Sequence, residues 1–239
     1  MIEREEMQMI LEQYSDLVVV SLNICAFVLG AWIIKVTRIK FINAFIVALL
    51  IVIMALQMLK IDYQTYAEGS KYISFLLGPS VVALGYMLHK HVSVIRRSIV
   101  PILISVSLGA IANILLVNVI FLAFDVDRSI IYSIQPKSVT TAIAITLSEQ
   151  NGGIVPLTAI ITAFTGILGS IIGPPLLRLC RITSPVARGL AMGTSAHGIG
   201  TARALELGAK EGAVAGLAIG LMGAITSLML LFLKDFLVF

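Results

Sequence analysis

A series of uncharged apolar runs, each close to bilayer length, constrains this chain more than any other feature. A helix rises 1.5 Å per residue, so about 20 apolar residues cross the roughly 30 Å hydrocarbon core. Six runs approach that length: Leu17–Ile34, Phe41–Leu59, Tyr72–Leu88, Ser98–Phe124, Gly152–Leu177 and Gly212–Leu233. Two more are apolar but compromised: Ser129–Ser148, interrupted by Pro136-Lys137, and Gly189–Ala202, short and rich in glycine. Hydrophobic residues make up 59% of the chain and charged residues 13%, against roughly 45–50% and 25% in globular domains. The mean hydropathy is +1.03. A soluble fold cannot hide that much apolar side chain, so lipid replaces water around most of it. The predicted fold is an all-α polytopic membrane protein of six to eight segments, some discontinuous or re-entrant, in one membrane domain over residues 1–239. Soluble enzyme, disordered regulator and nucleic-acid binder are excluded as whole-chain readings. The net charge of +4 reads as loop charge that sets orientation. Cys25 and Cys180 form no disulfide framework, and no spacing of metal ligands is present, so neither metal nor cofactor is expected.

Counting positive charges predicts the topology. The acidic start (Glu3, Glu5, Glu6, Glu12 and Asp16 against Arg4) lacks the basic region of a signal peptide, so the first span is expected to remain. Lys35, Arg38 and Lys40 follow the first span; Lys90, Arg96 and Arg97 follow the third. Both clusters fall on one side, the cytoplasmic one. If every apolar segment crossed fully, Arg178, Arg181 and Arg188 would then lie outside. Making Ser129–Ser148 re-entrant from the outer face removes the conflict. Such backbone is tolerated at membrane depth only where it is buried in protein or lines a watery cavity.

Residues 78–85 and 193–200 share a G-x-S-x-x-x-x-G frame 115 positions apart. That offset overlays neighbouring spans and suggests two inverted repeats of four elements, 14–124 and 129–237, as in many secondary transporters. The competing reading is that these small residues only allow close helix packing.

Lys137 is the only charge between Arg128 and Glu149, and it stands in Pro136-Lys137-Ser138-Val139-Thr140-Thr141. A cation at membrane depth costs at least about 2.5–3.5 kcal/mol on insertion scales. Proline suits a helix start, and Ser138 is the expected cap of a helix through Ala142–Leu147. An ammonium, free amides and hydroxyls together describe a receptor for a small anion; the alternative is a lysine snorkelling to the interface. A second constellation, Gly193-Thr194-Ser195-Ala196-His197-Gly198-Ile199-Gly200-Thr201-Ala202-Arg203, places a histidine among small residues. His197 is either a proton carrier or a structural hydrogen-bonder. Ser195 and His197 are two apart and face different ways on a helix, a poor nucleophile–base pair, so no enzyme is expected. Glu149 either pairs with Lys137 or faces water. Among the asparagines within spans, Asn43 is the one promoted as a ligand contact, while Asn113 and Asn118 read as glue between helices.

These same residues carry a resemblance. Pro136-Lys137-Ser138-Val139-Thr140-Thr141-Ala142-Ile143-Ala144, then Ala187-Arg188-Gly189-Leu190-Ala191-Met192-Gly193-Thr194-Ser195-Ala196-His197 and Gly200-Thr201-Ala202-Arg203-Ala204-Leu205-Glu206, resemble the two long motifs of the LrgB/CidB family. Ala142 stands where the family has proline, and the Ser195-Ala196 order is swapped. The resemblance implies a multi-pass bacterial inner-membrane protein with a small LrgA/CidA-type membrane partner, and a homo- or hetero-oligomer.

It also implies one of two functions. In the first, the chain transports small monocarboxylates of the pyruvate, glycolate and glycerate class. Lys137 and the helix start at Ser138–Thr141, with Pro136 and Val139, would hold the carboxylate. Gly193, Thr194, Ser195, His197, Gly200, Thr201 and Asn43 would meet the rest of the substrate. His197, Glu149 and Arg203 would serve proton or ion coupling. In the second, the chain is a holin- or antiholin-like regulator of murein hydrolase export and autolysis, with no solute of its own.

Overall fold

In the computed structural model the described residues are 15–37, 44–124 and 126–237, and they form helices and turns with no strand among them. In chain order the helices are α1 (Ser15–Thr37), α2 (Ala44–Leu59), α3 (Tyr63–Gly69), α4 (Lys71–Phe75), α5 (Leu77–Lys90), α6 (Val92–Arg97), α7 (Ile99–Ala123), α8 (Arg128–Ile134), α9 (Thr141–Gln150), α10 (Val155–Leu179), α11 (Pro185–Leu207) and α12 (Ala209–Leu237). Among the described residues, five stretches are long and apolar enough to cross a membrane: Asp16–Thr37, Lys71–Lys90, Ile99–Phe121, Val155–Leu179 and Ala209–Phe232. The shorter Ala44–Leu59 is apolar as well. Large side chains such as Trp32, Val100, Leu116, Phe164 and Phe232 are exposed on these helices, as expected where acyl chains are the solvent. The all-α polytopic fold read from hydropathy is therefore present. The expected span Tyr72–Leu88 is interrupted at Leu76, between α4 and α5. Pro79 explains the break: it has no amide hydrogen for a helical bond back to Phe75 and suits the first turn of the next helix.

The chain divides into two compact units, Met1–Ala83 and Leu84–Phe239. In the first, α1 and α2 pack antiparallel. Ala26, Ala48 and Val52 are buried together, and a Cβ on Gly30 would stand 2.6 Å from the Ala44 carbonyl oxygen. Tyr66 donates its hydroxyl hydrogen to Asn23 Oδ1 at 3.1 Å.

The second unit is built around two segments that enter and turn back. The first is α8–α9. Going inward, Gln135 reaches Asn118 of α7 and Lys137 and Ser138 reach Asn113. Val139 then joins the buried cluster of Ile102, Val106 and Ala110, deeper still along α7. Going outward, Leu147 of α9 is back beside Ile114, and Ser148 lies close to Ser133 across Gly153. Ten residues of α9 rise about 15 Å, half the bilayer core. The re-entrant reading of Ser129–Ser148 thus agrees with the geometry. A knot of hydroxyls closes its mouth: Ser133 Oγ accepts the Ile154 amide at 2.6 Å, and Thr158 and Ser148 share a 2.6 Å hydrogen bond.

The second turn-back lies inside α11. The expected segment Gly189–Ala202 proves longer, Pro185–Leu207, with non-helical backbone at Ala196 and His197. The two arms fold onto each other, since a Cβ on Gly200 would meet the Met192 carbonyl oxygen and stand 2.5 Å from Ala196 Cβ. The first arm runs antiparallel to α10: Gly173 faces Met192, Gly169 faces Ala196 and Gly166 faces His197. It runs parallel to α12, with Gly189 against Glu211 and Val214, and Gly193 against Ala215 and Ala218. The shared cluster of Ile95, Leu190 and Val214 puts the starts of α7, α11 and α12 at one end of the unit. Arg96, Arg97, Arg178, Arg181 and Arg188 gather there, as positive-inside counting requires.

Asp127 caps α8 by accepting the Ser129 amide at 2.8 Å. Hydrogen bonding from Ser129 holds its pKa below the usual carboxylate value. A folded-state pKa below the unfolded one gives stability that is complete above the unfolded pKa, near 3.9, and lost as pH falls through the lowered one. Amide exchange of Ser129–Ile131 is expected to quicken over that acidic window. In Asp127→Ala it should be fast already at neutral pH.

Candidate functional site

The tip of the α8–α9 segment begins where α8 ends. The Lys137 amide bonds to the Ile134 carbonyl at 3.1 Å and the Val139 amide to the Pro136 carbonyl at 3.1 Å. These turns carry the chain round the proline. Helix α9 starts at Thr141, and its cap is Thr140, whose side chain accepts from the Ile143 amide. Ser138 was the expected cap, and the correction has a simple cause. Ser138 lies before the extended Thr140 (φ −62°, ψ 149°), and its hydroxyl is occupied elsewhere.

That occupant is Asn113. Its Oδ1 accepts hydrogen bonds from the Lys137 ammonium and from Ser138 Oγ at 3.2 Å. Its Nδ2 donates to the Gln135 carbonyl at 2.9 Å. Gln135 Nε2 donates in turn to Asn118 Oδ1 at 2.7 Å. One amide on α7 therefore fixes three consecutive features of the turn. Its partner Asn113 is neutral and no carboxylate among the described residues pairs with it, so Lys137 brings positive charge to the start of α9, where the helix dipole is also positive. Glu149 is exposed, which agrees with the alternative that it faces water. Pro136, Ser138 and Val139 are buried; Lys137, Thr140 and Thr141 are half-buried.

His197 forms the tip of the α11 hairpin at φ 39° and ψ −129°, a region costly for a side-chain-bearing residue, on the order of 1–3 kcal/mol. Its ring lies against α10, with Nε2 2.9 Å from the Thr162 carbonyl oxygen. A carbonyl only accepts, so Nε2 carries the hydrogen and donates. A Cβ on Gly166 would stand 2.6 Å from the ring, so that glycine makes room for it. Thr194 Oγ1 donates to the Leu190 carbonyl at 2.8 Å and Ser195 Oγ to the Ala191 carbonyl at 2.6 Å; both hydroxyl hydrogens are spent inside the first arm. Thr201 Oγ1 is buried with no hydrogen-bond partner among the described residues. Arg203 is ion-paired to Glu206.

The two sequence constellations are thus gathered at two tips. The described hydrogen bonds tie the Lys137 group to α7 and His197 to α10. Their common neighbour is the middle of α12: Ala218 lies in the cluster with Val139 and 2.9 Å from a Cβ on Gly193. Asn43 lies outside the described residues. A cavity of about 490 Å³ opens between α9 and α12, lined by Ala142, Ile143, Thr146 and Gln150 and by Ser227 and Leu231. Lys137 is not part of that lining. No group of three His, Cys, Asp or Glu side chains among the described residues is placed to hold a metal ion.

Sequence reading missed Asn113 as the holder of Lys137. The available signal was weak: Asn113 and Asn118 are both amides in a run without charges.

Residues 23–236 match the model of the LrgB-like family. The chain belongs to that family. It is 33% identical over 192 residues to the uncharacterized protein YxaC of Bacillus subtilis (strain 168), covering 80% of this chain and 84% of the relative. It is 34% identical over 190 residues to holin-like protein CidB of Staphylococcus aureus (strain Mu50 / ATCC 700699), covering 80% and 83%. The antiholin-like protein LrgB of Bacillus mycoides (strain KBAB4) is 32% identical over 180 residues, covering 75% and 78%. No solved structure matches the chain at a significant level. With its apolar helices, this LrgB-like chain is a multi-pass bacterial membrane protein.

Proposed function

We propose that this LrgB-like chain works as a holin- or antiholin-like regulator of murein hydrolase export and autolysis, with a small LrgA/CidA-type membrane partner. The observation that carries the reading is similarity to CidB and LrgB relatives along three-quarters or more of both chains. Shared length of that extent supports a shared role. No catalytic step is assigned to the chain. Deleting the gene should change the autolysis rate and the murein hydrolase activity released by the cells, and complementation should restore both. Unchanged autolysis and hydrolase release would contradict the reading.

A second reading, transport of small monocarboxylates, is favoured by one specific feature: the Lys137 ammonium rests on a neutral amide beside the start of α9. Such a site suits a carboxylate, whose charge would complete the pair. On this reading Lys137 and the Thr140–Thr141 start hold the anion, and the His197 hairpin faces it from the opposite side. Reconstituted vesicles should then take up labelled pyruvate or glycolate, and Lys137→Met should abolish uptake with expression intact. Uptake by the variant at the native rate would remove this reading and leave the first untouched.

A further inference from the structure

We propose that the basic end of the Leu84–Phe239 unit docks against anionic phospholipid headgroups in the leaflet it faces. The inference is independent of both functional readings. Lys90, Arg96, Arg97, Arg178, Arg181 and Lys210 are exposed, and the packing of Ile95 with Leu190 and Val214, and of Leu177 with Met192 and Ala215, places them at one end. The acidic groups described there are already engaged: Glu211 pairs with Arg188 and Glu206 with Arg203. None of the six exposed cations is in a described ion pair. The opposite end carries Asp127, Arg128 and Glu149 and shows no such excess.

Six like charges around the ends of bilayer-length helices repel one another unless counter-charge is supplied from outside. A cluster of four to eight Lys and Arg residues at the cytoplasmic edge of a membrane helix takes it from anionic headgroups. Arginine suits this role because its planar fork meets two phosphate oxygens at once. Tyr86 adds an interfacial anchor: the residue is 60% exposed and the Lys90 ammonium lies over its ring, 4.8 Å from the centroid, the arrangement expected of an aromatic at headgroup level. Zwitterionic headgroups carry no net charge to complete the pairing. The partner is therefore anionic lipid.

The test compares melting of the full chain in nanodiscs of phosphatidylcholine and of equal parts phosphatidylcholine and phosphatidylglycerol. The native chain should melt higher in the mixed discs, with the gain shrinking as salt rises. The quadruple variant Arg96→Gln, Arg97→Gln, Arg178→Gln, Arg181→Gln should lose more than half of that gain. Arg128→Gln, at the other end, should keep all of it. Lipid retained through purification gives a second measurement, and the native chain should hold several-fold more phosphatidylglycerol than the variant. If the quadruple variant does not assemble, Arg178→Gln, in the last turn of α10, and Arg181→Gln, in the turn just beyond it, both exposed, read the same two quantities singly. An equal gain in native and variant chains, or the full gain from inorganic phosphate in phosphatidylcholine discs, would overturn the proposal.

Discussion

Replacing Asn113 with leucine is expected to lower stability by about 2–4 kcal/mol, the largest effect of any single side chain at the α8–α9 tip. The loss is not that of one hydrogen bond. Asn113 serves the Lys137 ammonium, Ser138 Oγ and the Gln135 carbonyl at once, and leucine leaves all three without a partner. An orphaned buried polar group costs about 1–3 kcal/mol, and more when charged. Two further results are expected of the same contacts. Lys137→Met in the Asn113→Leu background should recover part of the loss, because the orphaned charge is gone; coupling between touching residues is roughly 0.5–3 kcal/mol. Asn113→Asp should cost less than Asn113→Leu, since it keeps the acceptor for Lys137 and Ser138 and sacrifices only the bond to Gln135. Under the transport reading that same aspartate neutralises the anion site, so uptake should stop while the fold survives. Thermal melting of the purified variants checks the stabilities. If Asn113→Leu melts like the native protein, the tip is held by something other than this amide.

The second large effect belongs to the α11 hairpin. A Cβ on Gly193 would lie 2.5 Å from the Ala215 carbonyl oxygen and 2.8 Å from Ala215 Cα. These are backbone atoms of α12, which cannot step aside as a side-chain tip can. Gly193→Val is therefore expected to reach the top of the about 1–3 kcal/mol range for overpacking. Gly200→Ala should fall within the same range, because it drives the two arms of α11 apart at Met192 and Ala196. Gly198 is the control. It is exposed, two residues from Gly200, and a Cβ there meets nothing within 4 Å. Gly198→Ala should be neutral or slightly stabilising, since alanine is the better helix former. Equal losses at all three positions would mean that the arms are not folded together.

Most of this architecture is legible in the sequence because hydropathy along a membrane helix is nearly one-dimensional information. The stretch Ser98–Phe124 anticipates α7, and Gly152–Leu177 anticipates α10, to within a few residues. The α8–α9 segment is legible for a different reason: positive-inside counting puts the arginines at and beyond the end of α10 with those after α5, and a turn-back at Pro136 is the simplest way to bring them together. The α11 hairpin is harder to read. Two half-helices joined at Ala196-His197 present the length and glycine content of one weak span, and nothing in the order of residues reports that the halves are antiparallel. Asn113 escapes for a related reason. An amide in a span has the same signature whether it glues two helices or holds a lysine, and the difference lies in what the fold brings to it. Pro79 is the opposite case, a residue whose local chemistry interrupts a run that hydropathy alone joins.

Within the second unit the chain is expected to enter and leave the membrane twice, once from each face. With Cys25 and Cys180 replaced by serine, single cysteines at Arg128, Gln150, Thr183 and Gly208 would be labelled in intact cells by a membrane-impermeant maleimide. The account predicts that positions 128 and 150 react together from outside, and that 183 and 208 react only after the membrane is opened. Labelling of 128 and 150 from opposite faces, or of 183 and 208 from opposite faces, would show continuous spans in place of hairpins and contradict it.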